Sequence, residues 1–78
     1  MPKKSIEITF PRNKIKEPVI YQLGKKFQVV PNILRANVTP DEGWVVLELE
    51  GSDIEIDKSI KWLSSLGLKV SPPGTEEN

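Results

Sequence analysis

Apolar and polar residues alternate along four short stretches of the chain, as they do in strands that bury one face. Between these stretches, apolar residues recur at the three- and four-residue spacing of an amphipathic helix. The predicted strands cover residues 5–10, 29–39, 44–50 and 68–70, and the predicted helices begin near Pro18 and Ser52. The order is β-α-β-β-α-β, which predicts a ferredoxin-like α+β fold: a four-stranded antiparallel sheet with two helices on one face.

Local residue choices support both predicted helices. Pro18 suits a first helical position, and Ser52 with Glu55 matches a capping box at the second helix. Gly67 fits a left-handed stop. Gly24 interrupts the first helix at a cost of about 1 kcal/mol relative to Ala, which predicts close packing or close approach of a partner. The inward stripes are Ile15, Val19, Leu23 and Phe27 in the first helix, and Ile56, Ile60, Leu63 and Leu66 in the second.

The two middle strands predict a hairpin. The turn chemistry of Pro40-Asp41-Glu42-Gly43 favours a four-residue loop over residues 40–43. This loop pairs Thr39 with Trp44 and Arg35 with Glu48, a favourable cross-strand ion pair. The core face of the hairpin then comprises Leu34, Ala36, Val38, Val45, Leu47 and Leu49.

The sheet face without helices is predicted to be open. It would carry Glu7, Thr9, Ile33, Arg35, Asn37, Trp44, Val46, Glu48 and Lys69. Ile33, Trp44 and Val46 form a modest apolar patch on this face. From this patch and from the strand edges we predict that the chain forms a homo-oligomer, either through these three residues or through an edge of the sheet.

The amino-acid composition limits the classes of function that the chain can have. The 78 residues contain neither cysteine nor histidine, and they carry 11 basic and 11 acidic side chains. These absences exclude a disulfide framework, a thiolate metal site and a cysteine nucleophile, and remove the usual general base. We therefore expect no enzyme, no catalytic residue, no metal and no cofactor. A single domain over residues 1–71 with a disordered tail over 72–78 is predicted.

The chain has no apolar run of membrane-spanning length, and residues 1–10 do not resemble a signal peptide. The cytoplasm is therefore the expected compartment, with no membrane insertion.

Three segments carry a family resemblance: residues 15–20, the phrase Pro-Asn-Ile-Leu-Arg-Ala-Asn-Val at 31–38, and Gly-Trp followed by an alternating strand at 43–51. Over about residues 5–71 the chain resembles the NIL domain family, named for the tripeptide found here as Asn32-Ile33-Leu34. The resemblance implies a ferredoxin-like regulatory domain related in form to amino-acid-binding ACT domains. Such domains occur at the C-terminus of methionine-importer ATPases, where they bind the amino acid and inhibit transport, and beside iron–sulfur modules.

The sequence departs from both family contexts, since it contains no Gly-rich phosphate-binding loop and no cysteine for a cluster. We expect a freestanding, non-enzymatic module that binds methionine or a related sulfur metabolite. The resemblance gives Asn32, Ile33 and Leu34 as ligand-binding residues. Arg35 and Asn37 join them because a guanidinium and an amide can bind carboxylate and amino groups.

Three alternatives share the predicted topology. A protein-interaction adaptor would use the open sheet face and the strand edges. Binding of RNA is disfavoured because the open face offers one tryptophan beside Glu7 and Glu48, and carboxylates repel phosphates. An acylphosphatase-like enzyme is disfavoured because residues 11–16 are not a Gly-rich phosphate cradle.

Overall fold

The computed structural model describes residues 2–14 and 17–73. Its elements follow the predicted order, with a short 3₁₀ turn at Arg12–Lys14 in the first connection. The strands and helices are β1 (Lys3–Phe10), α1 (Val19–Lys26), β2 (Val29–Val38), β3 (Gly43–Gly51), α2 (Asp53–Ser65) and β4 (Lys69–Ser71). Ile15, and residues 74–78 of the predicted tail, lie outside the described residues.

The four strands form one sheet in the order β2-β3-β1-β4, and every pairing is antiparallel. The predicted ferredoxin-like architecture is therefore confirmed. β1 and β3 lie in the centre and pair over eight positions, from Lys3 opposite Glu50 to Phe10 opposite Gly43. The ten-residue β2 forms one edge of the sheet and the three-residue β4 forms the other.

One face of the sheet packs against both helices. Val19 and Leu23 of α1, and Ile56 and Leu63 of α2, are buried as predicted, and Phe27 and Trp62 meet edge to face at 5.8 Å between ring centroids. The buried core comprises Ile6, Ile8, Phe10, Val19, Leu23, Val29, Val45, Leu47, Leu49, Ile56, Leu63 and Leu68.

The start of α2 is tied to the start of β2. Ser52 Oγ accepts a hydrogen bond from the Glu55 backbone N–H at 3.2 Å, as the capping pattern predicts. The Glu55 carboxylate accepts one from the Gln28 backbone N–H at 2.9 Å. At the other end of α2, Gly67 has φ of 87°, the left-handed stop that its position predicts.

The hairpin differs from its predicted register by two residues. Val38 pairs with Gly43 and Asn37 with Trp44, so the loop covers residues 39–42 and not 40–43. Thr39 closes this loop, since its hydroxyl accepts hydrogen bonds from the Asp41 and Glu42 backbone N–H groups at 3.3 and 3.1 Å. Arg35 consequently lies opposite Val46, and the predicted register that places it opposite Glu48 is wrong.

A β-bulge interrupts β2 at Leu34. Ile33 pairs with Leu47 and Arg35 pairs with Val46, which leaves Leu34 as one residue too many on this strand. Ile33 therefore lies on the helix-facing side of the sheet, not on the open face where the alternation predicts it.

The predicted burial of Leu34, Ala36 and Val38 is also wrong. All three are exposed, with 48% of Leu34 and 59% of Val38 accessible to solvent. The physical reason is the position of β2 at the edge of the sheet, where, among the described strands, only β3 lies beside it. At its far end an open apolar cleft lies between Val38 and the first turn of α1.

Candidate functional site

All five residues predicted to bind a ligand lie on β2, at the exposed edge of the sheet. We call Asn32, Ile33, Leu34, Arg35 and Asn37 the edge site. Each is exposed, and β2 is the outermost strand on this side. Within the described residues, β2 pairs with β3 alone, so the outer side of its backbone faces no other strand.

The bulge places the polar side chains of the edge site and Ile33 on different faces of the sheet. Asn32 lies opposite Glu48, Arg35 opposite Val46, and Asn37 opposite Trp44. These β3 partners point away from the helices, so the three polar side chains of the edge site share the helix-free face. Ile33 lies on the other face, and Leu34 between them is the residue that the β2–β3 register skips.

Arg35 lies against an aromatic ring. Its guanidinium carbon is 5.5 Å from the ring centroid of Trp44, within the range of a cation–π interaction. Trp44 is also the cross-strand neighbour of Asn37. An arginine oriented in this way can donate two parallel hydrogen bonds to a carboxylate.

The predicted apolar interface on the helix-free face is smaller than expected. Val46 is only 4% exposed, because it lies in the middle of the face between Arg35 and Glu7. Trp44 is half-buried. Ile33 belongs to the other face, so the three residues predicted to form one patch do not come together on one surface.

Glu7 is the buried charged residue of the described chain. Its side chain is 2% exposed, although β1 presents it on the helix-free face between Val46 and Ser71. The alternation correctly predicts the face of Glu7 but not its burial. The alternation of residues along a strand shows which face each side chain lies on. It does not show how deeply neighbouring side chains bury a residue in a central strand.

An apolar cleft, which the sequence reasoning missed, opens beside the far end of β2. It encloses about 190 Å³ between the first turn of α1 and the hairpin end. Its lining includes Phe10, Pro18, Val19 and Val45, and the exposed side chains of Tyr21 and Val38 stand at its rim. Glu17 also borders the cleft, and its carboxylate pairs with the Lys14 ammonium at 3.2 Å.

The edge site combines three kinds of recognition group. Its amides donate and accept hydrogen bonds, its guanidinium binds carboxylates, and its aliphatic side chains offer exposed apolar surface. None of the five side chains is a nucleophile or a general base at neutral pH.

The rest of the described chain shows neither a metal-binding cluster nor a membrane-spanning helix. Residues 2–14 and 17–73 contain no group of three or more acidic side chains placed to hold a metal ion. Neither helix in this part of the chain has the length and apolar character of a membrane span.

A family model matches most of the chain. The model described as NIL domain covers residues 4–72. This match includes nearly every strand residue, both helices and the whole edge site.

Two relatives with similar sequences are methionine import proteins. The chain is 31% identical over 75 residues to methionine import ATP-binding protein MetN 1 of a strain of Bacillus cereus, covering 91% of this chain and 22% of that protein. It is 33% identical over 67 residues to methionine import ATP-binding protein MetN of a strain of Helicobacter pylori, covering 81% of this chain and 20% of that protein. The chain thus spans about a fifth of the length of these relatives.

A solved structure has the same fold. The C-terminal domain of an ABC transporter ATP-binding protein from Enterococcus faecalis superposes with a TM-score of 0.77. The alignment covers 92% of this chain and 84% of that domain at 22% identity, which supports likeness of fold.

Proposed function

Because the chain belongs to the NIL domain family, we propose that it is a non-enzymatic regulatory module that binds an amino acid, such as methionine or a related sulfur metabolite. The observation that carries the proposal is the exposed edge site. There, Asn32, Arg35 and Asn37 share one face of an outermost strand, with two exposed aliphatic side chains beside them. No cofactor is required by this function.

The proposed recognition assigns each group of the ligand to a part of the edge site. The Arg35 guanidinium binds the carboxylate, and the amides of Asn32 and Asn37 bind the carboxylate or the amino group. Ile33 and Leu34 contact the aliphatic or thioether part. Since these side chains lie at a strand edge, the ligand occupies a shallow site, and its affinity depends on few contacts.

The proposed partners follow from the relatives. Two of them are ATP-binding proteins for methionine import, so the regulated partner that we propose is an importer ATP-binding subunit in the cytoplasm. A second copy of this chain is the other proposed partner. The outer edge of β2 suits pairing between copies, because its backbone hydrogen-bonding groups and the side chains of Ile33, Leu34 and Val38 are exposed there.

The test is a titration of the purified chain with L-methionine and with the other amino acids, read by thermal shift and calorimetry. A ligand that binds the folded state raises the melting temperature, and the rise grows with its excess over Kd. We expect Asn32→Ala to weaken binding by about tenfold, the effect of losing one hydrogen bond to a charged group.

The matched control is Asn13→Ala. Asn13 is also an exposed asparagine, but it lies in the 3₁₀ turn, outside the edge site. Both variants should unfold like the wild-type protein without ligand, since exposed substitutions usually change stability by no more than about 0.5 kcal/mol. An unchanged affinity of Asn32→Ala, or an equal loss in Asn13→Ala, would contradict the assignment.

A protein-interaction adaptor is the second candidate, and the exposed β2 edge favours it. An extended segment of a partner can add to such an edge as a further strand. The helix-free face supports this function less than its sequence indicates, because Val46 is buried. Absence of any amino-acid response, together with a stoichiometric complex with an importer subunit, would favour the adaptor.

A further inference from the structure

We propose that the apolar cleft beside α1 is a second binding site, which takes an α-amino acid with an aromatic side chain. The ring of this ligand occupies the cleft, and its ammonium and carboxylate groups pair with Glu17 and Lys14 at the border. The inference goes beyond the proposed edge site, because the cleft lies on the helix side of the sheet and its lining includes none of the edge-site residues.

The cleft has the size and the lining for one aromatic ring. Its volume is about 190 Å³, and an apolar cavity of about 150 Å³ in another protein binds benzene. The side chains of Phe10, Val19 and Val45 on its inner side are at most 8% exposed, whereas Tyr21 at its rim is 66% exposed. A ligand ring in the cleft can contact both Phe10 and Tyr21, and contacts between aromatic rings are favourable beyond the burial of their area.

Gly43 keeps the cleft open on the side of the sheet. It is the first residue of β3, lies between Phe10 of β1 and Val38 of β2, and lines the cleft. Its φ is not positive, and an added Cβ would lie 3.5 Å from both Cγ atoms of Val38, which is an ordinary contact. Neither the backbone nor the packing therefore requires glycine here. Glycine weakens a strand, and it often marks a place where a ligand approaches closely.

A charged pair at the border determines which ligand fits. The Glu17 carboxylate lies 3.2 Å from the Lys14 ammonium, and these side chains are 46% and 30% exposed. An amine would pair with Glu17 and leave Lys14 without its partner, and a carboxylic acid would do the reverse. A zwitterionic amino acid carries both charges, so it can exchange this pair for two ion pairs with itself. Because both side chains are partly solvated, these ion pairs orient the ligand more than they strengthen its binding.

The first experiment fills the cleft and follows the binding of L-phenylalanine by calorimetry. Gly43→Val adds a side chain inside the cleft, because Gly43 shares the helix-facing side of β3 with Val45. We expect the wild-type chain to bind L-phenylalanine at least about tenfold more tightly than L-alanine, and Gly43→Val to lose at least about tenfold in affinity. The matched control is Ser5→Val, which adds bulk to β1 outside the lining of the cleft and should bind within about twofold of the wild-type chain.

The thermal melt without ligand shows whether each variant folds. If Gly43→Val does not fold, Gly43→Ala takes its place, since its single methyl group lies at contact distance from Val38, and it should lose at least about threefold in affinity. Wild-type affinity in a folded Gly43 variant would overturn the inference, as would an equal loss in Ser5→Val.

The second experiment tests the two charges. Glu17→Gln should weaken the binding of L-phenylalanine by about two- to fivefold, whereas Glu50→Gln, on the helix-free face, should not change it. Phenylethylamine and 3-phenylpropanoate each carry one of the two charges of the amino acid, and both should bind more weakly than L-phenylalanine. Equal affinity for either compound would overturn the assignment of a zwitterionic ligand.

Asn32→Ala separates the cleft from the edge site. Binding of L-phenylalanine that is lost in Asn32→Ala and kept in Gly43→Val would locate this ligand at the edge site and overturn the inference. No binding of L-phenylalanine by the wild-type chain would also overturn it. Neither result would decide whether methionine binds at the edge site, which the methionine titration tests separately.

Discussion

The same substitution, glycine to alanine, should have opposite effects at two positions of this fold. At Gly24, within α1, an added Cβ would lie 3.5 Å from Cδ of Pro31 and 3.7 Å from its Cγ, which are ordinary van der Waals contacts. At Gly51, the last residue of β3, an added Cβ would lie 2.7 Å from the Gln28 carbonyl oxygen and 3.2 Å from Cγ1 of Val29. The first position has room for a methyl group, and the second does not.

Gly24→Ala should therefore stabilise the protein. Alanine favours the helix by about 0.8–1 kcal/mol over glycine, and little of this is lost to contact with Pro31. We expect the free energy of unfolding to rise by about 0.5–1 kcal/mol, which corresponds to roughly 2–8 °C in melting temperature for a chain of this size. Gly51→Ala should lower the free energy of unfolding by about 1–3 kcal/mol, because backbone atoms must move to admit the methyl group.

Urea unfolding at several protein concentrations measures both effects. The concentration series separates domain stability from any coupling to self-association. Destabilisation by Gly24→Ala would refute the helix-propensity argument, and it would show that α1 and β2 pack more closely than their contacts indicate. A neutral Gly51→Ala would refute the steric argument.

Two further substitutions test the local interactions that shape the fold, both by urea unfolding. Ser52→Ala removes the hydroxyl that accepts the Glu55 backbone N–H at 3.2 Å, and it should cost about 1 kcal/mol; Ser52→Asp, which restores an acceptor, should recover most of that loss. Asp41→Asn breaks the 3.1 Å pair with Arg12, but both side chains are more than 70% exposed, so stability should change by less than about 0.5 kcal/mol; a larger loss would mean that the pair orders the hairpin loop.

The sequence predicts this fold well wherever one residue type determines a local geometry. Ser52 with Glu55 and Gly67 mark the ends of α2, and alternation identifies β1 and β3 because these central strands are covered by neighbours on both sides. The family resemblance is confirmed by the match over residues 4–72. In each of these cases the local sequence pattern and a neighbouring element favour the same structure.

The errors concentrate on β2. Alternation has period two, so a single inserted residue at Leu34 reverses the faces, and nothing in the composition of residues 29–39 indicates an insertion. The exposure of Ala36 and Val38 depends on the edge position of β2 and on how loosely the first turn of α1 packs beside it, and the residues of β2 alone determine neither. The predicted loop boundary is wrong because Thr39, a good strand residue, instead closes the turn with its hydroxyl.

The five edge-site residues are predicted from a family motif and from side-chain chemistry, and their roles remain predictions. What the structure adds is their arrangement: an outermost strand, three polar side chains on one face, and a guanidinium held 5.5 Å from an indole ring. The cleft at Tyr21 and Val38 is not predicted by the sequence, because its walls come from elements far apart along the chain.

The two edges of the sheet are unequal, and this limits how the protein can polymerise. β2 offers ten residues, whereas β4 has three and is followed by Pro72 and Pro73, which have no amide hydrogen to donate to another strand. Growth of a sheet into a fibril needs two adhesive edges on every molecule, and within residues 2–14 and 17–73 β2 is the one long edge. Edge-to-edge association through β2 would occupy that edge on both participants, so it would end at a pair.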